Sequence, residues 1–332
     1  MANRRTTRWL VSTLLIFVVL TLAWSGGWYW LAGWADRRIP GWLAEAAESG
    51  IEVSCPKSDI VGFPFALRLD CGETALAERE TGTNAKLAGL TGGVSVFAPT
   101  TAQVALASPA HIESPLLEGP ADISWEDAGM DMAMGMSGPR DVSFDATELL
   151  ANFALGDADP AVAAARASGT LAPSKAGGTD AAIAFTDLAF SMDGATFPPV
   201  SGSASGHVSL PPRALVSGGA ALRGPLSANN VEVSLESGEA RLQALGDVAV
   251  DAEGIVDGTI TLRIAGADAL PSFIAALPPE RQQIGNAVAG AIFAFGQPAT
   301  IDGEAASELV VEIERGEARI GPVEVTLPRV PL

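Results

Sequence analysis

The segments VSLESGEARL (residues 233–242) and VEIERGEARI (residues 311–320) decide the fold class of this chain. Six of their ten positions are identical, and in both segments apolar–polar alternation flanks a pair of residues that ends in glycine. Alternation with a period of two places apolar side chains on one face of a strand, and an x-Gly pair favours a two-residue hairpin turn. The two segments therefore predict a sheet that grows by similar antiparallel hairpins.

The same alternation recurs along most of the chain beyond residue 50. It is clearest at residues 231–236, 260–264, 309–314 and 323–327, where one set of side chains is apolar and the other mostly polar. A one-sided sheet has to cover its apolar face. Six of the seven tryptophans lie within the first 42 residues, so few large aromatic side chains remain to build a thick core over that face. We therefore expect a mainly β body: a long, curved antiparallel sheet in the form of a half-pipe or groove, with a few helices.

Two segments interrupt the predicted strands with helix-forming residues. Residues 145–167 carry such residues on both sides of Asp157-Ala158-Asp159-Pro160 and predict two short helices or one broken helix. Residues 271–296 carry apolar side chains at helical spacing, and this stripe either packs on the core face of the sheet or covers an open groove as a lid. The stripe includes Ile284, Val288, Ile292 and Phe295.

The N-terminal region predicts a membrane anchor. Arg4, Arg5 and Arg8 precede a run without charged side chains from Trp9 to Ala35, which as a helix would be about 40 Å long against a hydrocarbon core of about 30 Å. Basic residues before the run favour a cytoplasmic N-terminus, and a cleaved signal peptide is the alternative. The predicted parts are a cytoplasmic tip (1–8), the anchor (9–34), a linker helix (35–50) and an extracytoplasmic domain (51–332).

Aromatic residues mark the C-terminal end of the anchor. Indole and phenol rings partition to the interface between membrane and water, so we assign this cluster to the anchor. Its members are Trp24, Trp28, Tyr29, Trp30 and Trp34.

The two cysteines, Cys55 and Cys71, predict a disulfide. An even pair at short spacing in an exported domain is typical of one, whereas a metal site would need further ligands nearby and a redox pair usually has closer spacing. The flanking residues 51–55 and 65–71 both alternate like strands. The disulfide would then close a wide hairpin whose tip holds Gly62, Phe63, Pro64 and Phe65.

The chain offers few residues for catalysis or metal binding. Its only histidines, His111 and His207, are far apart in sequence, and no nucleotide-binding loop, nucleophile elbow or zinc-ligand spacing occurs. A formal net charge of −19 disfavours contact with nucleic acid. We therefore predict that the protein is not an enzyme, needs no cofactor, has no metal site and binds no nucleic acid.

Four methionines recur at every second position: Met130, Met132, Met134 and Met136. On a strand their thioethers would share one face. Three interpretations stay open, namely a loop or core segment, the lining of an apolar groove, and a set of soft ligands for Cu(I).

The anchor, the cysteines around GFPF, the strand-rich body and the motif G-x-x-R-x-G-P at residues 316–322 together resemble a proteobacterial envelope family, the domain of unknown function 2125. The chain departs from the usual family pattern at Ala66, where a basic residue commonly follows GFPF. The resemblance implies no enzymatic activity and hence no catalytic residues. The family is distantly similar to AsmA-like envelope proteins, whose curved sheets are associated with lipid movement or outer-membrane assembly.

We expect a non-enzymatic protein of the bacterial inner membrane, single-pass, with a cytoplasmic N-terminus and a periplasmic body. Its apolar groove, lined or covered by the methionines and the helical stripe, would bind or transfer lipid in envelope maintenance. The alternative is a structural or assembly factor that engages other envelope proteins through sheet edges or the GFPF tip.

Overall fold

The computed structural model confirms a mainly β chain built on one long antiparallel sheet, preceded by a single helix. It describes residues 3–48, 50–79, 81–115, 119–135, 138–154, 160–192, 195–212, 215, 225–266, 282, 286, 290, 294–320, 323–327 and 329–330.

The N-terminal helix α1 runs from Asn3 to Glu48 without a break. Its segment Leu14–Gly41 is long and apolar enough to span a membrane. The helix continues through Pro40, across the predicted boundary at residue 35 between the anchor and the linker helix, and that boundary stays a prediction. Proline removes one backbone hydrogen bond from a helix, and in this part of α1 the side chains of Ala32, Ala35 and Ile39 are buried.

A glycine ends this helix and turns the chain into the sheet. Gly50 has a positive φ of 93°, which glycine adopts without strain, and its N–H donates to Ala47 O at 3.1 Å. The first strand starts at the next residue. The sheet consists of β1 (Ile51–Ser54), β2 (Ser58–Val61), β3 (Ala66–Cys71), β4 (Thr74–Glu78), β5 (Thr83–Ser95), β6 (Ala98–Glu113), β7 (Ala121–Ser124), β8 (Asp127–Gly135), β9 (Gly138–Phe153), β10 (Ala161–Pro173), β11 (Thr179–Met192), β12 (Ala195–Thr196), β13 (Val200–Val208), β14 (Leu226–Ser237), β15 (Ala240–Val250), β16 (Val256–Ala265), β17 (Gln297–Ile301), β18 (Glu304–Glu314), β19 (Glu317–Ile320) and β20 (Val323–Thr326).

The pairing order follows the chain closely, because most connections between neighbouring strands are short hairpin turns. The main run of antiparallel neighbours is β2–β3–β5–β6–β8–β9–β10–β11–β13–β14–β15–β16–β18. Short strands add to this run, with β1 on β4, β4 on β5, β7 between β6 and β9, and β17 and β19 on β18. With sequential pairing of this kind, every interior strand is hydrogen-bonded to a neighbouring strand on each side.

The helical prediction for residues 145–167 is wrong. Residues 145–153 lie in β9 and residues 161–167 in β10, and the two strands pair with each other, for example Asp145 with Ser168 and Ala146 with Ala167. Residues 155–159 lie outside the described residues. Intrinsic helix propensity differs between residues by less than about 1 kcal/mol, so two-sided pairing in a sheet overrides it. The other helical prediction, residues 271–296, falls largely outside the described residues; its described members Gln282, Asn286, Gly290, Ala294 and Phe295 are helical.

The two similar segments both form hairpins, but with turns at different positions. In the second, Arg315 and Gly316 are the turn and both have positive φ, which is the geometry of a type I′ turn. In the first, Ser237 pairs with Ala240, so the turn is Gly238-Glu239 rather than the expected x-Gly pair. The glycine of the motif is therefore the second turn residue in one copy, as Gly316, and the first turn residue in the other, as Gly238.

Two clusters of buried apolar side chains lie near the C-terminal strands of the sheet. Ile264 packs on Leu309, and Val311, Ile313 and Ala318 form a second cluster. Partly buried side chains complete these clusters: Leu242, Val256, Ile260, Leu262 and Leu327. The sheet thus has a covered end at β16–β19, and the exposure of the remaining strands decides where a site can be.

Candidate functional site

One face of the main run of strands is apolar across its whole width. Residues directly opposite each other on paired strands point to the same face, so successive registers trace rows across the sheet. The central apolar row crosses thirteen strands, roughly 58 Å at about 4.8 Å per strand. It consists of Ile60, Leu69, Gly92, Val104, Met130, Phe144, Gly169, Ile183, Ala204, Val233, Ala244, Leu262 and Leu309.

Two further rows lie two residues away on either side and widen this row into what we call the apolar face. One flanking row contains Leu67, Val94, Ala102, Met132, Val142, Leu171, Ala181 and Gly206. The other contains Ala128, Ala146, Ala167, Phe185, Gly202, Leu235, Leu242 and Ile264. Neither row contains a charged side chain, so three adjacent rows form a continuous apolar strip.

Exposure varies along this strip. Phe144 and Ile183, near its middle, are 41% and 52% exposed, whereas Leu309 at the C-terminal end is 8% exposed. The chain's own side chains therefore cover the strip at one end and leave large apolar groups open in the middle. Isolated exposed apolar residues are common on proteins, but two large ones within one continuous apolar strip indicate a contact surface.

Glycines let aromatic rings lie flat on this face. A Cβ on Gly169 would come within 2.1 Å of Phe144 Cε1, and one on Gly202 within 2.5 Å of Leu235 Cδ2 and 2.9 Å of Phe185 Cζ. The two rings therefore occupy the space that a side chain on the next strand would otherwise fill. The result is a smooth apolar surface between β9 and β14.

A small apolar recess lies on the same face. It has a volume of about 220 Å³ and is bordered by Val200, Leu235, Leu242 and Ile264. Its walls are almost entirely hydrocarbon, so it suits part of an alkyl chain rather than a polar ligand.

The opposite face is polar along the same strands. Its central row consists of Asp59, Asp70, Thr91, Ala105, Gly129, Asp145, Ser168, Ala184, Ser203, Ser234, Gln243, Arg263 and Glu308. Ion pairs cross between strands here, at 2.6 Å from Arg166 Nε to Asp145 Oδ2 and at 2.8 Å from Arg263 Nε to Glu308 Oε2. Both pairs are partly solvated, which limits their contribution to stability.

The polar face also holds a recess that the sequence did not indicate. It has a volume of about 770 Å³ and crosses β3 to β10, with Arg68, Gln103, Asp131 and Asp145 among its lining residues. Gln103 Nε2 donates to Asp131 Oδ1 at 2.9 Å inside it. No sequence pattern could locate this recess, because it depends on the register of six strands.

Three of the four methionines, Met130, Met132 and Met134, lie on strand β8. Met130 and Met132 belong to the apolar face, opposite Phe144 and Val142 on the neighbouring strand, and both are half-buried. Met134 is 44% exposed, and Met136 lies outside the described residues. These positions favour the interpretation of the methionines as part of the apolar lining.

The predicted lid cannot be placed on the apolar face. Ile284, Val288 and Ile292 lie outside the described residues, and Phe295 is 44% exposed. The role of this segment stays a prediction.

The disulfide between Cys55 and Cys71 is present, with a Cα–Cα distance of 5.4 Å. The hairpin next to the disulfide has a shorter connection than predicted, because β2 rather than residues 51–55 pairs with β3. Strand β1 pairs instead with β4. The segment Gly62-Phe63-Pro64-Phe65 forms the tight turn of the β2–β3 hairpin, where Gly62 has a φ of 103° and Ala66 N donates to Gly62 O at 2.8 Å.

Helix α1 packs against this turn, a contact that the sequence did not suggest. Trp24 Nε1 donates to Pro64 O at 3.0 Å, and Trp28 Nε1 donates to Ala66 O at 2.9 Å. The Phe63 ring stacks on Tyr29 at 5.7 Å between centroids and meets Trp28 edge-on at 5.4 Å. Three members of the predicted interfacial cluster therefore also hold the GFPF turn.

The histidines are paired with carboxylates on the sheet surface. His111 Nδ1 lies 2.7 Å from Asp122 Oδ1, and His207 Nδ1 lies 2.9 Å from Asp180 Oδ1. Hydrogen bonding to Asp122, with a smaller effect of Glu113, raises the pKa of His111 above its ordinary value. Within the described ranges no cluster of three His, Cys, Asp or Glu side chains could hold a metal ion. That the protein is not an enzyme stays a prediction.

Comparison with known proteins gives one result. No curated protein and no solved structure matches the chain. The model of the family DUF2125, described as an uncharacterized protein conserved in bacteria, matches residues 28–328 and so includes the docked end of α1, the GFPF turn, the disulfide and the whole sheet. The chain belongs to this bacterial family.

Proposed function

We propose that this protein is a non-enzymatic, single-pass protein of the bacterial inner membrane whose sheet binds lipid acyl chains on its apolar face. The observation that carries the proposal is the uninterrupted apolar strip with Phe144 and Ile183 open at its middle. An acyl chain is long, narrow and without polar atoms, and it matches a strip that has the same properties.

The chemistry of the strip favours lipid over a small polar ligand. Small-molecule sites combine an apolar wall with a few converging polar groups, which fix the orientation of the ligand. The three rows of the apolar face carry neither charged nor polar side chains, so the face offers no converging polar groups. Contact along many strands would instead bind methylene groups additively, at about 0.8 kcal/mol for each one fully buried.

The N-terminal helix supports the proposed location. Its apolar segment has the length of a membrane span, and the arginines at its start favour a cytoplasmic N-terminus with the sheet in the periplasm. A protein tethered in this way would bind lipid next to the bilayer that supplies it.

Site-specific photocrosslinking tests the proposal. p-Benzoylphenylalanine replaces Ile183 on the apolar face or, as a matched control, the adjacent Ala184 on the polar face of the same strand. Both positions are exposed, so both variants should fold. In the full chain in native membranes, we expect phospholipid adducts from position 183 at several times the yield from position 184.

Two outcomes would contradict the proposal. Equal lipid yields from the two positions would mean that lipid contact does not distinguish the faces. A protein adduct at position 183, without lipid, would favour the alternative function, in which this face engages other envelope proteins during assembly.

A further inference from the structure

Three exposed phenylalanines lie at the junction of α1 and the sheet. Phe63 and Phe65, in the β2–β3 turn, are 47% and 55% exposed, and Phe97, in the β5–β6 turn, is 80% exposed. The rings of Phe65 and Phe97 are 5.6 Å apart, so the two turns form one surface. We call these three residues the aromatic patch.

The level of the patch along α1 follows from helix geometry. A hydrocarbon core of about 30 Å takes up about 20 helical residues. Counted from Trp9, the first residue after the arginines, such a core ends near Tyr29, and counted from Leu14 it ends about one turn further, near Gly33. Phe63 stacks on Tyr29, and Trp28 donates to the backbone of the same turn. A membrane-spanning α1 therefore holds the β2–β3 turn at the far boundary of the hydrocarbon core.

We propose that the aromatic patch is a second membrane contact, in which Phe63, Phe65 and Phe97 sit in the interfacial layer of the bilayer that α1 spans. The occupant of the patch is thus phospholipid of that bilayer. The turn is fixed against α1 by the hydrogen bonds that the Trp24 and Trp28 indoles donate to its backbone and by the ring contacts of Phe63. Aromatic rings are the side chains most suited to this layer.

The patch is continuous with the apolar face. Val96 N donates to Phe65 O at 2.9 Å, which extends the β3–β5 ladder one pair beyond Ala66 and Ser95. Phe65 and Val96 therefore lie next to Leu67 and Val94, the first members of a flanking apolar row. If the apolar face binds acyl chains, as proposed above, these strands are where a chain leaving the bilayer would first meet it.

Photocrosslinking of the full chain tests the membrane contact. p-Benzoylphenylalanine replaces Phe97, a conservative change at an exposed position, or Glu239, an exposed turn residue of the β14–β15 hairpin. The protein is reconstituted in vesicles of phosphatidylethanolamine and phosphatidylglycerol and irradiated. We expect lipid adducts from position 97 at several times the yield from position 239.

Equal lipid yields at the two positions would overturn this inference. A protein adduct in place of lipid at position 97 would also overturn it, because the patch would then be an interface with another chain. The result is independent of the proposed function: lipid at position 97 without lipid at position 183 leaves the membrane contact intact and removes acyl binding on the apolar face.

Discussion

A single carboxylate on the apolar face should weaken acyl binding, and the same carboxylate one residue further should not. The pair of variants is Ile183→Asp and Ala184→Asp. Both residues are exposed on β11, and they point to opposite faces, in rows that contain Phe144 and Gly169 on one side and Asp145 and Ser168 on the other. Both variants place the same residue on one strand, but strand propensity depends on the face of the sheet, so the stability of each variant is measured separately.

The exposure of Ile183 sets the expected magnitude. Full burial of an isoleucine side chain is worth about 1.5–3 kcal/mol, and the 52% that remains exposed corresponds to about 1 kcal/mol on contact with an acyl chain. Aspartate loses this contribution and adds the cost of desolvating a carboxylate. Because 1.4 kcal/mol is a factor of ten, we expect Ile183→Asp to raise the apparent Kd at least about fivefold.

Fluorescence titration of the full chain in amphipol with a dansylated fatty acid measures this change. Any fatty acid bound to α1 contributes equally to both variants, because the substitutions are in the sheet. We expect the Ala184→Asp protein to bind within a factor of two of the unmodified chain, and thermal unfolding should confirm that both variants are folded. Equal losses in the two variants, or no loss in either, would refute the reasoning about the apolar face.

Three further predictions concern the hairpin, the disulfide and a histidine. Trp28→Phe removes one hydrogen bond to the GFPF hairpin and should destabilise the docked hairpin by about 1 kcal/mol, seen as faster proteolysis of the turn; an unchanged rate would contradict the docking. Replacing Cys55 and Cys71 by serine frees a loop of 16 residues and should cost about 3 kcal/mol in unfolding free energy by denaturant titration, whereas a cost near zero would contradict the chain-entropy argument. Because the pKa of His111 is raised in the folded protein, its protonation stabilises the fold below its ordinary pKa, and this stabilisation is lost as pH rises through the folded pKa. NMR titration should show the His111 midpoint move downward in Asp122→Asn, and an unmoved midpoint would contradict the pairing.

Local pattern in the sequence predicted the strands well where alternation was strict and failed where composition was ambiguous. Residues 231–236 and 309–314 were predicted as strands and lie within β14 and β18. Residues 145–167 are rich in alanine and carry little alternation, so helix propensity was the only signal available. The structure places residues 145–153 in β9 and residues 161–167 in β10, where neighbouring strands supply hydrogen bonds on both sides.

The candidate site was predictable in kind but not in place. The sequence indicated an apolar face and a methionine segment that could line it, and Met130 and Met132 do lie on that face. It could not indicate that Phe144 and Ile183 are the open positions, since both appear in the sequence as ordinary apolar strand residues. Their exposure depends on which parts of the face the rest of the chain covers.

The aromatic residues at the end of α1 illustrate the same difference. Their composition indicated a membrane interface, because indole rings have that preference by themselves. Their hydrogen bonds to Pro64 O and Ala66 O join residues 40 and 38 positions apart in sequence. A contact of that range leaves no local periodicity from which it could be predicted.

The sequence by itself determined what depends on neighbouring residues: a membrane-length apolar helix, strands with one apolar and one polar side, and a cysteine pair close enough to bridge. The tertiary structure alone decided the register. A shift of one residue between two strands would move every apolar side chain to the other face, and only the pairing of each strand with both neighbours prevents it. The apolar rows across the sheet, the open stretch at their middle and the docking of α1 on the GFPF turn all follow from that long-range pairing.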